Sequence, residues 1–262
     1  SIHNQNRREI DYLYHYTNIS SLALILKNKT IRLNSLLNMD DADEVVTKNN
    51  EYLGKYCFVS SWTDLSEESI PFWSLYTKDM TGIRIRLQKY PFKKKTLVNL
   101  LDYQGIIENS YIPEEIWMNN RVFVYPCLDF LRKVEYTNEE EKLYPNVIDS
   151  ISANPDGTSN FSGNFKDINR YKRKCWEFQS EWRYGILVFP CDEHRRFKMD
   201  LKPHLEDIPF SFIDLKIEED AFVEMKIVLG PKMNKGDKEV VKCLVEKYCP
   251  TATIRDSELR IK

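Results

Sequence analysis

The stretch Cys175-Trp-Glu-Phe-Gln-Ser-Glu-Trp-Arg-Tyr-Gly185 follows a basic run, Arg170-Tyr-Lys-Arg-Lys174, and leads into the apolar Ile186-Leu-Val-Phe189. A helical pattern turns extended here, and Glu181 sits at the change, two residues after Gln179. A carboxylate at the mouth of a strand, flanked by Trp176, Trp182 and Arg183, can be held rigidly by its neighbours. The same residues also read as a surface glutamate paired with Arg183 or with the basic run.

Working outward, 262 residues at 42% hydrophobic content suffice for one large domain or two small ones. Glycine is scarce, at 8 residues, and neither glycine-rich phosphate-loop pattern occurs. The net charge of −2 sets up no global field for nucleic acid, which leaves local basic patches. The six cysteines form no C-x-x-C pair and read as reduced core thiols, so no metal site is expected. Ser1–Asp11 is polar, and no apolar run approaches the ~18 residues of a membrane span. The expectation is a cytoplasmic protein with no membrane partner.

Toward the N-terminus, Tyr12-Leu-Tyr-His-Tyr-Thr17 reads as an aromatic strand. Asn18 offers a cap for a helix with the stripe Ile19, Leu22, Ile25 and Leu26. Thr30–Leu33 reads as a second strand. Asp40, Asp41, Asp43 and Glu44 then crowd together without the spacing of a calcium loop, and read as a capped, solvated helix start. Tyr56–Thr63 is a strand candidate carrying Ser60 and Ser61, small hydroxyls where a ligand could come close. Pro71 suits the first turn of a helix that places Phe72, Trp73 and Tyr76 on one face.

Toward the C-terminus, Arg121–Tyr136 looks like one or two strands around Pro126. Residues 137–164 are rich in turn chemistry and read as a flexible or site-covering loop. Met225–Pro231 reads as a buried strand, Lys235–Tyr248 as an amphipathic helix, and Thr251–Arg255 as a closing strand. Many strands with few βαβ alternations argue for an α+β fold, and with no repeat and no clean linker residues 1–262 read as a single domain.

Three pieces stand in chain order: Tyr14-His15-Tyr16-Thr17, then Phe58-Val-Ser-Ser61 with Trp73 and Tyr76, then Gln179-Ser-Glu181. Together they resemble the ADP-ribosyltransferase superfamily in its His-Tyr-Glu form. Over residues 12–262 the chain is also similar to a bacterial family long labelled only as a domain of unknown function, met in defence and toxin-like contexts. The resemblance implies a split, twisted, mostly antiparallel β core with peripheral helices, and NAD as a substrate. By it, His15 bonds a ribose of NAD, the Tyr16 backbone holds the nicotinamide amide beside Thr17, and Ser60 and Ser61 line the nicotinamide pocket. Tyr76 or Trp73 stacks on the ring, Glu181 is catalytic, and Gln179 helps select the acceptor. Many relatives carry glycine where this chain has Tyr16.

That chemistry suits a fixed carboxylate. As the glycosidic C–N bond of NAD breaks, positive charge spreads over the ribose, and a carboxylate stabilises that charge most in the transition state. The run Arg170, Lys172, Arg173 and Lys174, interleaved with Tyr171 and Trp176, reads as a patch that could track RNA or DNA, bind the NAD pyrophosphate, or form a solvated face. The expected activity is ADP-ribosyl transfer to a macromolecule, leaning to nucleic acid, by a toxin or anti-phage effector with an antitoxin partner. Transfer to protein, NAD glycohydrolysis and a non-catalytic nucleotide- or nucleic-acid-binding module are the alternatives.

Overall fold

The computed structural model describes residues 11–93, 95–97, 107–110, 122–125, 130–155, 159–191 and 208–262. The architecture is α+β, mostly antiparallel but mixed, with few helices. The chain groups into two compact units. One is drawn from Ser1–Lys29, Trp62–Pro91 and Ile217–Lys262, the other from Thr30–Ser61 and Phe92–Lys216.

The first unit is built on strand β1 (Tyr12–Thr17). It pairs antiparallel with the later strand Ile83–Gln88 in a register that sets His15 opposite Ile85 and Tyr16 opposite Arg84. That strand continues antiparallel to Lys226–Leu229, which pairs in parallel with Thr253–Asp256 across the intervening helix Lys235–Tyr248. Helix α1 (Ile19–Asn28) starts where Asn18 accepts a hydrogen bond from Ser21 N at 2.7 Å, the cap its sequence offers. Its stripe buries Leu22, Ile25 and Leu26, each contributing about 2 kcal/mol of transfer free energy. It stops at Lys29, whose backbone is left-handed at φ 54°. Pro71 lies in the first turn of α2 (Ile70–Tyr76), which buries Phe72 and Trp73 against Tyr16.

The second unit centres on the strand Glu181–Pro190. It pairs antiparallel with Leu131–Lys133 and Val122–Tyr125, and with the strand Cys57–Thr63. Every residue of Glu181–Pro190 except Trp182 is buried, so the strand reads as a nearly continuous apolar run. Strand β2 (Thr30–Ser35) pairs antiparallel with Cys57–Thr63 and with Phe212–Lys216. Among the described residues three two-stranded ribbons lie outside these pairings, one of them Lys95–Leu97 antiparallel to Ile107–Ser110. Tyr171–Arg173 runs parallel to Glu135–Thr137, and Ile148–Ala153 runs antiparallel to Ser159–Gly163.

That last ribbon falls within 137–164, where a loop is expected. Four serines, an asparagine and a glycine stand in its strands, so composition hides them; residues 156–158 lie outside the described residues. Of the cysteines expected in the core, Cys57, Cys191 and Cys249 are buried. Cys175 and Cys243 are exposed, and Cys127 lies outside the described residues. Among the described residues no helix is long and apolar enough to cross a membrane.

Candidate functional site

Glu181 opens its strand after a 3-10 turn, Lys174–Gln179, and a left-handed Ser180 at φ 40°. Side chains two apart on a strand share a face, so Glu181 and Arg183 point the same way. Arg183 grips the carboxylate with both edges of its fork: Nε donates to Oε1 at 2.6 Å and Nη2 to Oε2 at 3.1 Å. Lys172 Nζ donates to the same Oε2 at 3.2 Å and to Gln179 Oε1 at 2.9 Å. Ser61, on the neighbouring strand, adds a side-chain hydrogen bond to Glu181. The Glu181 backbone N–H donates to Tyr136 Oη at 2.8 Å.

A second carboxylate completes the cluster. Glu44 Oε1 accepts from Arg183 Nη2, and Glu44 Oε2 lies 3.8 Å from Lys172 Nζ. Arg183 Nη1 donates to Asn169 Oδ1 at 3.1 Å. Glu181 is 4% exposed, Arg183 1%, and the Glu44 side chain 3%. Two buried carboxylates therefore face two buried cations, and the charges balance.

Burial alone would raise the Glu181 carboxyl. The Arg183 guanidinium and the Lys172 ammonium outweigh it and hold the carboxyl down at about 2. Burial also raises Glu44, and there Arg183 and Lys172 offset it only in part. A carboxylate depressed in the folded state stabilises above its unfolded value near 4.5, and that stability is lost as pH falls toward 2. Glu44 runs the other way and costs stability at neutral pH. Glu181 alone is expected to contribute about 3 kcal/mol at pH 7. Urea unfolding between pH 6 and pH 2 checks this: the loss below pH 4.5 should shrink in Glu181→Gln, and equal slopes would remove Glu181 as its source.

The local backbone serves this geometry. Glu44 rides on a short 3-10 turn, Ala42–Val45, capped by Asp41, whose Oδ1 accepts from Asp43 N at 3.1 Å. The capped start expected from the sequence is present, but the solvated glutamate is corrected: the turn carries Glu44 inward to Arg183. A Cβ on Gly54 would stand 2.6 Å from Val45 Cα and 2.9 Å from Glu44 O, backbone atoms that cannot swing aside. Gly54→Ala is expected to lower stability by about 1–3 kcal/mol by forcing this turn outward, read as a lower urea midpoint. A Cβ on Gly185 would stand 2.6 Å from Asn169 Nδ2, so glycine there lets Asn169 reach Arg183.

No family model, no curated protein and no solved structure matches this chain. The geometry alone therefore places the candidate residues.

The second unit brings Lys172, Gln179 and Glu181 together, with Ser61 on Glu181 and Ser60 buried beside it in sequence. The rest of the basic run is dispersed. Strand alternation sends Lys172 inward and Arg173 outward. Arg173 bonds Asp43 Oδ2 at 2.5 Å and Tyr144 Oη at 2.9 Å. Arg170 bonds Glu135 at 2.9 Å and Asp167 at 3.0 Å. Lys174 is exposed.

In the first unit, the half-buried His15 ring lies 5.0 Å from that of Trp62. Tyr16 is buried against Phe72 and Trp73, and its hydroxyl accepts from Ser69 N at 3.2 Å. Thr17 is buried at the end of β1. Trp73 is 0% exposed, and its Nε1 donates to Glu68 Oε2 at 3.2 Å. Its ring is thus committed to the core, whereas Tyr76 is only partly buried against Phe72. Of the two aromatics, Tyr76 is the one with ring surface left for a flat heterocycle. Glu44, Arg183 and Asn169 are the cluster members that sequence reasoning did not single out as site residues. The i, i+2 spacing of Glu181 and Arg183 was the one local signal for Arg183.

Proposed function

We propose that this chain is an ADP-ribosyltransferase that uses NAD as its substrate and a macromolecule as acceptor, in the setting of a toxin or anti-phage effector. The observation that carries the reading is Glu181: an ionised carboxylate fixed at the start of a strand, bonded by Ser61 from the strand beside it. A carboxylate held this way needs little reorganisation as charge develops, which is what an oxocarbenium-like transition state rewards. Its fixed negative charge would face the ribose as the bond to nicotinamide breaks and the bonding electrons leave with the ring. Glu181 is 4% exposed, so ribose contact requires part of its surroundings to give way.

The basic run supports a nucleic-acid acceptor less than its composition suggests, because Arg170, Lys172 and Arg173 are paired internally. The test is to incubate the protein with a cell lysate and NAD labelled in its ADP-ribose portion, then digest with nuclease or protease. Label in macromolecules supports the reading, and the digestion that releases it names the acceptor class. Free ADP-ribose alone would mark a glycohydrolase. Neither label nor nicotinamide release from folded protein would sink the enzyme reading.

A further inference from the structure

Among the described residues four donors meet the Glu181 carboxylate: Arg183 Nε, Arg183 Nη2, Lys172 Nζ and the Ser61 side chain. An ionised carboxylate offers about four lone-pair sites, so Glu181 is saturated as it stands. A substrate hydroxyl can bond it only when one of these donors leaves.

The three side chains differ in what leaving would cost. Arg183 is 1% exposed and also holds Glu44 and Asn169 Oδ1, so its withdrawal would break the cluster. Ser61 is neutral, and its withdrawal would leave the carboxylate as counterbalanced as before. Lys172 has a second partner at hand. Its Nζ lies 3.2 Å from Glu181 Oε2 and 3.8 Å from Glu44 Oε2. Among the described residues Glu44 Oε2 is a buried oxygen without a hydrogen-bond partner, and it has no surface for a ligand to reach. Such an atom is costly to leave unmet, so the donor it lacks has to come from within the protein. An ammonium carries three N–H groups on a flexible stem, and Gln179 Oε1 and Glu181 Oε2 engage two of them. A short swing of Lys172 would exchange one buried carboxylate for the other.

We infer that Lys172 is a two-position ammonium, which rests on Glu181 and passes to Glu44 Oε2 when a substrate hydroxyl takes its place. The move frees a lone pair of Glu181 and draws a cation away from it as positive charge develops on the ribose, which favours the transition state. Lys172 is thus a positioning residue and Glu44 its receiver. The second position rests on the cluster geometry; the substrate that triggers the move rests on the proposed NAD chemistry.

The test compares crystal structures of the wild type and of Glu181→Gln. The expected result is Lys172 Nζ on Glu181 in the first and within about 2.7–3.2 Å of Glu44 Oε2 in the second. Nζ held at residue 181 in both, or away from Glu44 in the variant, would overturn the proposal. Kinetics carry the test if Glu181→Gln does not fold. Glu44→Gln removes the charge that receives the ammonium, so kcat/KM for nicotinamide release is expected to fall about ten- to a hundredfold, the scale of one hydrogen bond to a charged group. Lys172→Met added to Glu44→Gln removes the ammonium that can no longer leave, and about tenfold should return, the scale of one such bond no longer broken. If Glu44 served the fold alone, the folded double variant would be no faster than Glu44→Gln, and that result would overturn the proposal. Wild-type NAD cleavage measured in parallel separates the two readings. Lys172 moved in Glu181→Gln without any cleavage keeps the two positions and removes the enzyme; cleavage with Lys172 unmoved does the reverse.

Discussion

Arg183→Met is expected to cost about 3–5 kcal/mol of stability, the range found when one partner of a buried ion pair is removed. Methionine keeps much of the length and apolar bulk of the arginine stem, so the loss reports the guanidinium and not a large cavity. That group holds both carboxylates at once, and it also donates to Asn169. Without it Glu44 and Glu181 lie buried against Lys172 alone, so one must take a proton or water must enter. A urea midpoint shift at unchanged slope is the expected record. A cost below about 1 kcal/mol, the range of solvent-exposed pairs, would mean that the cluster is hydrated in solution.

Glu181→Gln is expected to lower nicotinamide release from NAD by about a hundred- to a thousandfold, the cost of removing one preorganised electrostatic contact. Glutamine keeps the shape and can still accept from Arg183, but it brings no charge to the developing cation. The substitution also leaves Arg183 and Lys172 with Glu44 as their one carboxylate partner in the cluster. The rate is therefore compared well below the measured melting temperature of the variant. An unchanged rate in folded Glu181→Gln would assign the carboxylate to structure only. Both variants are expected to lose stability, since Glu181 itself contributes about 3 kcal/mol at pH 7; the loss of nicotinamide release in protein shown to be folded is what marks Glu181→Gln.

Much of this was legible in the residues themselves. The switch at Gln179-Ser-Glu181, the cap at Asn18 and the proline at the head of α2 each rest on a local signal spanning a few positions, and local signals survive folding. Glu44 was not legible. Its partner lies 139 residues away, and a short 3-10 turn has no period that marks an inward face. Lys172 was half legible, because alternation would have turned it inward had Tyr171–Arg173 been read as a strand. Charge density dominated that reading instead. Trp73 and Tyr76 share a helix face in the sequence, and only packing shows that the tryptophan is spent on the core.

The same 139-residue separation has a consequence for how the chain comes to life on the ribosome. At about 5–20 residues per second, Glu44 emerges on the order of ten seconds before Arg183 does. During that interval its carboxylate lacks its native partner Arg183. Lys172, Gln179, Glu181 and Arg183 arrive within a dozen residues of one another and can assemble as a local hairpin of charge. Closing the long loop back to Glu44 completes the buried cluster. Birth of this unit is thereby gated by its last third, and a nascent chain stalled before Arg183 would present an open, hydrated interior to proteases.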